Sequence, residues 1–282
     1  MLTIRQINDL RNRLEKSRAE GLSIGFVPTM GALHNGHADL VRRARKENDV
    51  VVVSIFVNPT QFNNAADLQH YPRTPEADAA LLEAAGCDLL FTPSAEEMYP
   101  NGLNEAAPAL QLGALATVME GGFRPGHFAG VTLIVKKLFD AVGSCNAYFG
   151  EKDFQQLAVI RHMVNELQLP VTVIGCPIVR EADGLAMSSR NMRLTPEERA
   201  VAPLISHALF NAKVLWPSVD AEAIKASVIA TIEQEPLMRL EYIEVVDATT
   251  LLPVLEDQKT NVVTCIAVYL GAVRLIDNVV LG

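Results

Sequence analysis

Cysteine is scarce and scattered in this chain. Cys87, Cys145, Cys176 and Cys265 are the only four in 282 residues, and no two form a C-x-x-C pair. That spacing predicts buried thiols in a reducing compartment and argues against a disulfide frame or a zinc ribbon. Long apolar runs are missing too: no stretch reaches the roughly 18 residues of a membrane span, although 49% of the residues are hydrophobic. Runs of basic residues are equally absent, and 24 Lys and Arg stand against 33 Asp and Glu, a net charge of −9. This excludes an extended nucleic-acid surface while leaving room for a local basic pocket that takes a small anion. The opening MLTIRQINDLRNRLEKSRAEG has no continuous apolar core, so it reads as an amphipathic helix rather than a signal peptide. A soluble, cytoplasmic protein is expected.

What is present is an alternation of strand and helix signals over residues 1–176. Apolar Leu22–Pro28 is followed by a helical pattern over His37–Glu47, and Asp49–Val57 (DVVVVSIFV) has almost no polar interruption. Such a run predicts a strand buried on both faces. Helical Glu76–Ala85, strand Asp88–Phe91, helical Phe128–Val142, strand Asn146–Phe149, helical Phe154–Leu167 and strand Val171–Ile174 continue the series. Repeated βα units predict a doubly wound parallel sheet, with ligands at the carboxyl ends of its strands. After Pro177 the texture changes. Helical Pro196–Lys213 and Ala221–Glu233 precede strand-like Leu240–Asp247, Asn261–Tyr269 and Arg274–Val280. The expected layout is an α/β domain over 1–176 and a smaller α+β domain over 177–282.

Four junctions carry chemistry. Met30-Gly31-Ala32-Leu33-His34-Asn35-Gly36-His37 joins the first apolar run to a helix. Amides at a helix start are unpaired and the helix dipole favours anions there, so two imidazole donors beside them suit phosphate oxygens. The bland alternative is that both histidines only cap the helix. A zinc site is disfavoured because H-x-x-H has no third ligand nearby. Asn58 and Gln61 close the strongest strand and offer amides that donate and accept, as a polyol or carboxylate needs; Asn-Pro alone reads equally well as a turn. Gly150-Glu151-Lys152-Asp153 with Gln156 sets a point charge and an amide one helical turn apart, or forms a solvated turn. Met187-Ser188-Ser189-Arg190, after Asp183-Gly184, combines hydroxyls, a guanidinium and loop amides into a flexible phosphate clamp, a weak pattern by itself.

Taken in this order, the stretches are specific. FVPTMGALHNGH (26–37), VVVSIFVNPTQF (51–62), YPRT (71–74), RPGHFAGV (124–131), YFGEKDFQQL (148–157), DGLAMSSRN (183–191) and RLIDN (274–278) resemble the pantoate–β-alanine ligase family along essentially the whole chain. Two positions depart from that pattern: Leu133 where threonine is usual, and Gly143-Ser144-Cys145 in place of a Pro-Asp turn. The place of Met187–Asn191 at the domain junction predicts that residues 177–282 move with it as a lid, and the resemblance implies a Rossmann-like nucleotidyltransferase domain, a homodimer and two steps. ATP and pantoate give pantoyl adenylate and pyrophosphate; β-alanine then gives pantothenate and AMP. A different adenylate-forming or cytidylyl-transferring enzyme of the same superfamily and a catalytically silent nucleotide-binding regulator are the competing readings; the pairing of Gln61 with Gln156 argues against the first.

Roles follow from the resemblance. His34, His37 and Lys152 are the expected catalytic residues. ATP is expected to bind Met30, Gly31, Ala32, Leu33, Asn35, Gly36, Gly150, Glu151, Asp153, Val179, Met187, Ser188, Ser189 and Arg190 as well. Gln61 and Gln156 are expected to grip pantoate, with Asn58, Arg124 and His127 in supporting parts. Mg²⁺ is expected to arrive with ATP, since no clustered carboxylates suggest a protein cage.

Overall fold

The computed structural model describes residues 1–61, 69, 71–255 and 257–282. They group into two compact units. The first takes in Met1–Leu112, Arg124–Glu151 and Gln156–Pro177; the second takes in Gly113–Phe123, Lys152–Gln155 and Ile178–Gly282. Two short segments from within the first 176 residues thus belong with the C-terminal part.

The first unit holds strands β1 (Leu2–Ile4), β2 (Ile24–Thr29), β3 (Val50–Ile55), β4 (Leu89–Phe91), β5 (Cys145–Gly150) and β6 (Val171–Cys176), in the order β1-β4-β3-β2-β5-β6. Every neighbouring pair is parallel. Burial of Val51, Val52, Val53 and Ser54 on both faces of β3 explains its unbroken apolar run. Helices α1 (Ile7–Ala19), α2 (Asn35–Glu47) and α3 (Pro75–Ala85) come before β5, with the short α4 (Ala95–Met98) after β4. From β2 the chain winds outward through β3 and β4, then returns to place β5 on the other side of β2. The carboxyl ends of β2 and β5 therefore flank the switch point, where doubly wound sheets bind ligands.

One local expectation changes. Residues 1–21 are not all helical: Thr3 and Ile4 pair with Leu90 and Phe91 as an edge strand, and α1 starts at Ile7. Pairing with an existing sheet edge outweighs the helical pattern there. In the second unit lie the short helix α5 (Met119–Phe123) and, in the first, α6 (His127–Val142). α6 is buried nearly all round, Leu133 included, so the departure at 133 exchanges one interior group for another. The other departure suits the backbone. Gly143 has φ +77° at the end of α6, and Arg18 donates to the carbonyls of Val142 and Ser144. Helix α7 (Phe154–Glu166) follows β5.

The second unit is an antiparallel sheet of β7 (Met238–Asp247), β8 (Val262–Leu270) and β9 (Val273–Val280) in that order. It packs with α8 (Pro196–Val201), α9 (Leu204–Leu215) and α10 (Ala221–Glu233) around Leu209, Trp216, Ile224, Ile266 and Val268. The single helix expected over 196–213 is broken at Pro203. Proline has no N–H to give the preceding turn, so α9 begins anew after it.

Buried charges explain why Gly113–Phe123 joins this unit. Arg274 donates to both Glu120 oxygens at 2.9 and 2.7 Å and to Glu241 at 2.8 Å. Tyr242 donates to Glu120 at 2.9 Å, and its ring stacks on Phe123 at 5.5 Å. Burial lowers the Arg274 pKa, but the two carboxylates outweigh it and raise the value overall. Gln155 accepts from the Glu120 N–H at 3.0 Å and donates to the carbonyls of Leu115 and Val118.

Candidate active site

β2 ends where Gly31 (φ +82°) and Ala32 (φ +50°) leave the extended region. Glycine is needed at 31: besides the φ, a Cβ there would lie 3.1 Å from Ile55 Cγ2 and 3.2 Å from Asp78 Oδ2. Left-handed residues in succession turn neighbouring amides to one side, a concavity that attracts anions. The molecule fills it with its own carboxylate. Asp78, on α3 and only 2% exposed, accepts the Ala32 N–H at 3.0 Å, the Leu33 N–H at 2.8 Å and the Thr74 hydroxyl at 3.0 Å. The amides of Ala32 and Leu33 are thus committed to Asp78.

The histidines do cap α2. His34 Nδ1 accepts the Gly36 N–H at 3.1 Å, and His37 Nδ1 accepts the His34 N–H at 3.3 Å. The His37 N–H donates to the His34 carbonyl at 2.9 Å. Amides of Gly36 and His37, expected to be unpaired, are therefore occupied by the cap itself. A ring nitrogen that accepts from an amide carries no proton, so each neutral imidazole holds its hydrogen on Nε2. The two rings lie 4.1 Å apart between centroids. Capping and donating are thereby compatible, one nitrogen for each.

Elsewhere in the first unit, Asn58 is 1% exposed and spends its amide internally. It accepts from Tyr99 at 2.7 Å and donates to Thr60 at 3.0 Å and the Gly130 carbonyl at 3.4 Å. Its part is to shape the turn Pro59–Gln61. The Gln61 backbone closes that turn; its side chain lies outside the described residues, as does Phe62. Arg124 and His127 meet at 3.2 Å at the start of α6. Gln156 is half-buried in the first turn of α7, and Gly150 and Glu151 follow β5.

In the second unit Lys152 is half-buried and Asp153 exposed. The Met187 N–H donates to the Val179 carbonyl at 2.9 Å, and Ser188 Oγ caps a short 3-10 turn by accepting the Arg190 N–H at 3.2 Å. Met187, Ser188, Ser189 and Arg190 are each half-buried. The segment is a capped turn rather than a loop of uncommitted amides. Thiols offer no nucleophile: burial pushes Cys87 and Cys145 up to about 12 and raises Cys176 and Cys265 as well.

The profile of the family described as pantoate-beta-alanine ligase matches residues 2–280. The chain belongs to the pantoate–β-alanine ligase family. Pantothenate synthetase of Porphyromonas gingivalis is 53% identical over 274 residues, 97% of this chain and 96% of that protein. The structure of pantothenate synthetase from Thermus thermophilus matches with a TM-score of 0.92 at 44% identity, covering 100% of this chain and 99% of that one. The pantoate-beta-alanine ligase of Francisella tularensis, solved with beta-gamma ATP and beta-alanine, matches with a TM-score of 0.81 at 37% identity, over 99% and 97% of the chains. Membership sets the activity: this ligase condenses pantoate with β-alanine through a pantoyl adenylate, using ATP.

Sequence reasoning missed one residue of this candidate site. Asp78 stands 41 residues beyond His37 in a helix whose first turn also holds Glu76, so nothing local marks it. The nearest signal was Asp78 in the buried stripe with Leu82 and Ala85, since a carboxylate on an apolar face requires donors.

Proposed function

We propose that His34 and His37, through their Nε2–H groups, stabilise the charge that develops on the transferring phosphoryl group and on departing pyrophosphate. The observation that carries this is the double cap: backbone amides fix both tautomers at the start of α2, beside the switch point. Donors positioned before the reaction need no reorganisation during it.

In the first step a pantoate carboxylate oxygen attacks the α-phosphorus, and the bond to the β-phosphate bridge breaks. In the second the β-alanine amine attacks the acyl carbon, AMP leaves, and the amine loses its proton. Neither step needs a protein nucleophile, which accords with four buried thiols. Lys152, Ser188, Ser189 and Arg190 bind phosphates, and Asp153 the ribose. Gln61 and Gln156 bind pantoate with Met30 beside them, while Asn58, Arg124 and His127 shape that pocket. The remaining turn residues, Gly31 to Leu33, Asn35, Gly36, Gly150, Glu151, Val179 and Met187, border the nucleotide.

Among the described residues no three His, Cys, Asp or Glu side chains are grouped to hold a metal ion. In this reading Mg²⁺ enters on the phosphates of ATP. A homodimer, a cytoplasmic location and a lid role for residues 177–282 belong to the same reading. No helix among the described residues is long and apolar enough to cross a membrane.

The test is pyrophosphate release from ATP, which should depend on added pantoate. His37→Ala should fold and lose about 10²–10³ in the rate of that step, and Gln156→Ala should raise the KM for pantoate more than that for ATP. Parent rates in His37→Ala would refute the phosphoryl role.

A further inference from the structure

Asp277 and Asn278 are neighbours on β9, 4% and 5% exposed, at one edge of the three-stranded sheet. Each reaches a different, distant segment. The Asp277 carboxylate accepts both terminal nitrogens of Arg180, at 2.7 and 2.9 Å. Arg180 also donates to the Gly184 carbonyl at 3.1 Å, and residue 180 pairs with Ala186 in an isolated antiparallel bridge. With the Met187 N–H on the Val179 carbonyl, this makes a hairpin that leads directly into Met187–Arg190. Asn278 Nδ2 donates to the main-chain carbonyl of Lys152 at 3.0 Å. Two consecutive residues of one strand thus hold the backbone of Lys152 and the base of the Ser188–Arg190 turn.

We infer that Asp277 and Asn278 are positioning residues for the ligase's phosphate-binding groups, fixing Lys152 and the Met187–Arg190 turn in register with each other. The inference rests on the reading of Lys152, Ser188 and Arg190 as phosphate ligands. Neither Asp277 nor Asn278 is placed here as a nucleotide ligand: both are buried, and their side chains reach the Arg180 guanidinium and the Lys152 carbonyl. Lys152 has a long flexible stem, so its ammonium is placed only as well as its backbone is. A planar two-point ion pair is the arrangement that resists rotation of Arg180, and hence of the hairpin. A purely scaffolding role needs no such targets, because apolar residues on β9 would pack the same sheet.

Asn278→Ala removes the hydrogen bond to the Lys152 carbonyl and leaves the Asp277–Arg180 ion pair in place, so the variant is suited to test the idea in the whole enzyme. Pantoate-dependent pyrophosphate release is measured for the parent, Asn278→Ala, Lys152→Ala and the double variant, together with thermal midpoints. The expected result for Asn278→Ala is a rate about tenfold lower with a raised KM for ATP, since small misplacements of a binding group carry costs of this order or more. Its KM for pantoate should stay within about twofold of the parent. In the Lys152→Ala background the same substitution should add less than about twofold, because a residue acting through Lys152 is silent once that side chain is gone. Multiplying losses in the double variant would overturn the proposal. So would a lowered midpoint with parental kinetics, or a KM for pantoate that rises as much as that for ATP. Parental rates in Lys152→Ala alone would instead show that the phosphate-ligand reading has failed, and the inference with it.

Discussion

Replacing Asp78 with alanine tests how the β2–α2 turn is held. The carboxylate is the acceptor for the Ala32 and Leu33 amides and the Thr74 hydroxyl, at 2.8 to 3.0 Å. The Thr74 hydroxyl is only part-buried and turns to water when its partner is lost. The two amides are held in place by the positive φ of Gly31 and Ala32. A buried donor left without an acceptor costs about 1–3 kcal/mol; with the Ala32 bond buried and the Leu33 bond part-buried, Asp78→Ala should lose roughly 2–5 kcal/mol. At about 2–4 °C per kcal/mol for a unit of this size, the first thermal transition should fall by roughly 4–20 °C. Asp78→Asn keeps one acceptor and turns an amide nitrogen towards one N–H, so its loss should be the smaller. The turn also sets where His34 and His37 stand, and pyrophosphate release should therefore fall in Asp78→Ala even at temperatures where it is fully folded. Circular dichroism melts give the midpoints, and the release assay is run about 15 °C below the variant's own midpoint, beyond the span of the transition. A midpoint within about 2 °C of the parent, under the conversion just used, would show that water or the chain replaces those bonds. It would refute the idea that Asp78 organises the turn.

The second unit should weaken in acid through Asp247. Burial raises its pKa, but hydrogen bonds from the Thr250 and Thr249 amides, Gln258 and the Thr250 hydroxyl prevail, and the folded value is lowered from 3.8 to about 2. A depressed carboxylate stabilises the fold above its unfolded pKa and loses that contribution as pH falls through the folded one. Denaturation followed by Trp216, the chain's single tryptophan and part of that unit's core, should show stability falling between about pH 4 and 2. Asp247→Asn should flatten the slope; an unchanged slope would rule the group out. The four thiols should resist an aromatic disulfide reagent in mildly alkaline buffer until denaturant is added, since burial holds Cys87 and Cys145 near 12. Rapid native labelling of either would contradict that burial.

Periodic patterns were sufficient for the sheet. Four valines in a row at 50–53 demand burial on both faces, whatever surrounds them, and the repeated βα spacing leaves few arrangements besides a parallel sheet. The strand-to-helix junctions were legible for the same reason, because His34, His37, Lys152 and Gln156 stand directly after strands whose ends must meet at one edge. The break at Pro203 was not read, because the apolar pattern running across it reads as one helix. What tertiary structure alone decided is where partners far apart in sequence meet. The start of the chain became a strand because the edge of β4 was available to it. Gly113–Phe123 joined the second unit because Glu120 meets an arginine 154 residues away. Asp78 became the anchor of the β2–α2 turn only when α3 packed beside it. A local pattern records which face of an element shuns water, which the side chains themselves determine. It does not record which of many equivalent carboxylates and amides will satisfy a given buried charge or donor, because that choice depends on distances that exist only once the chain has folded.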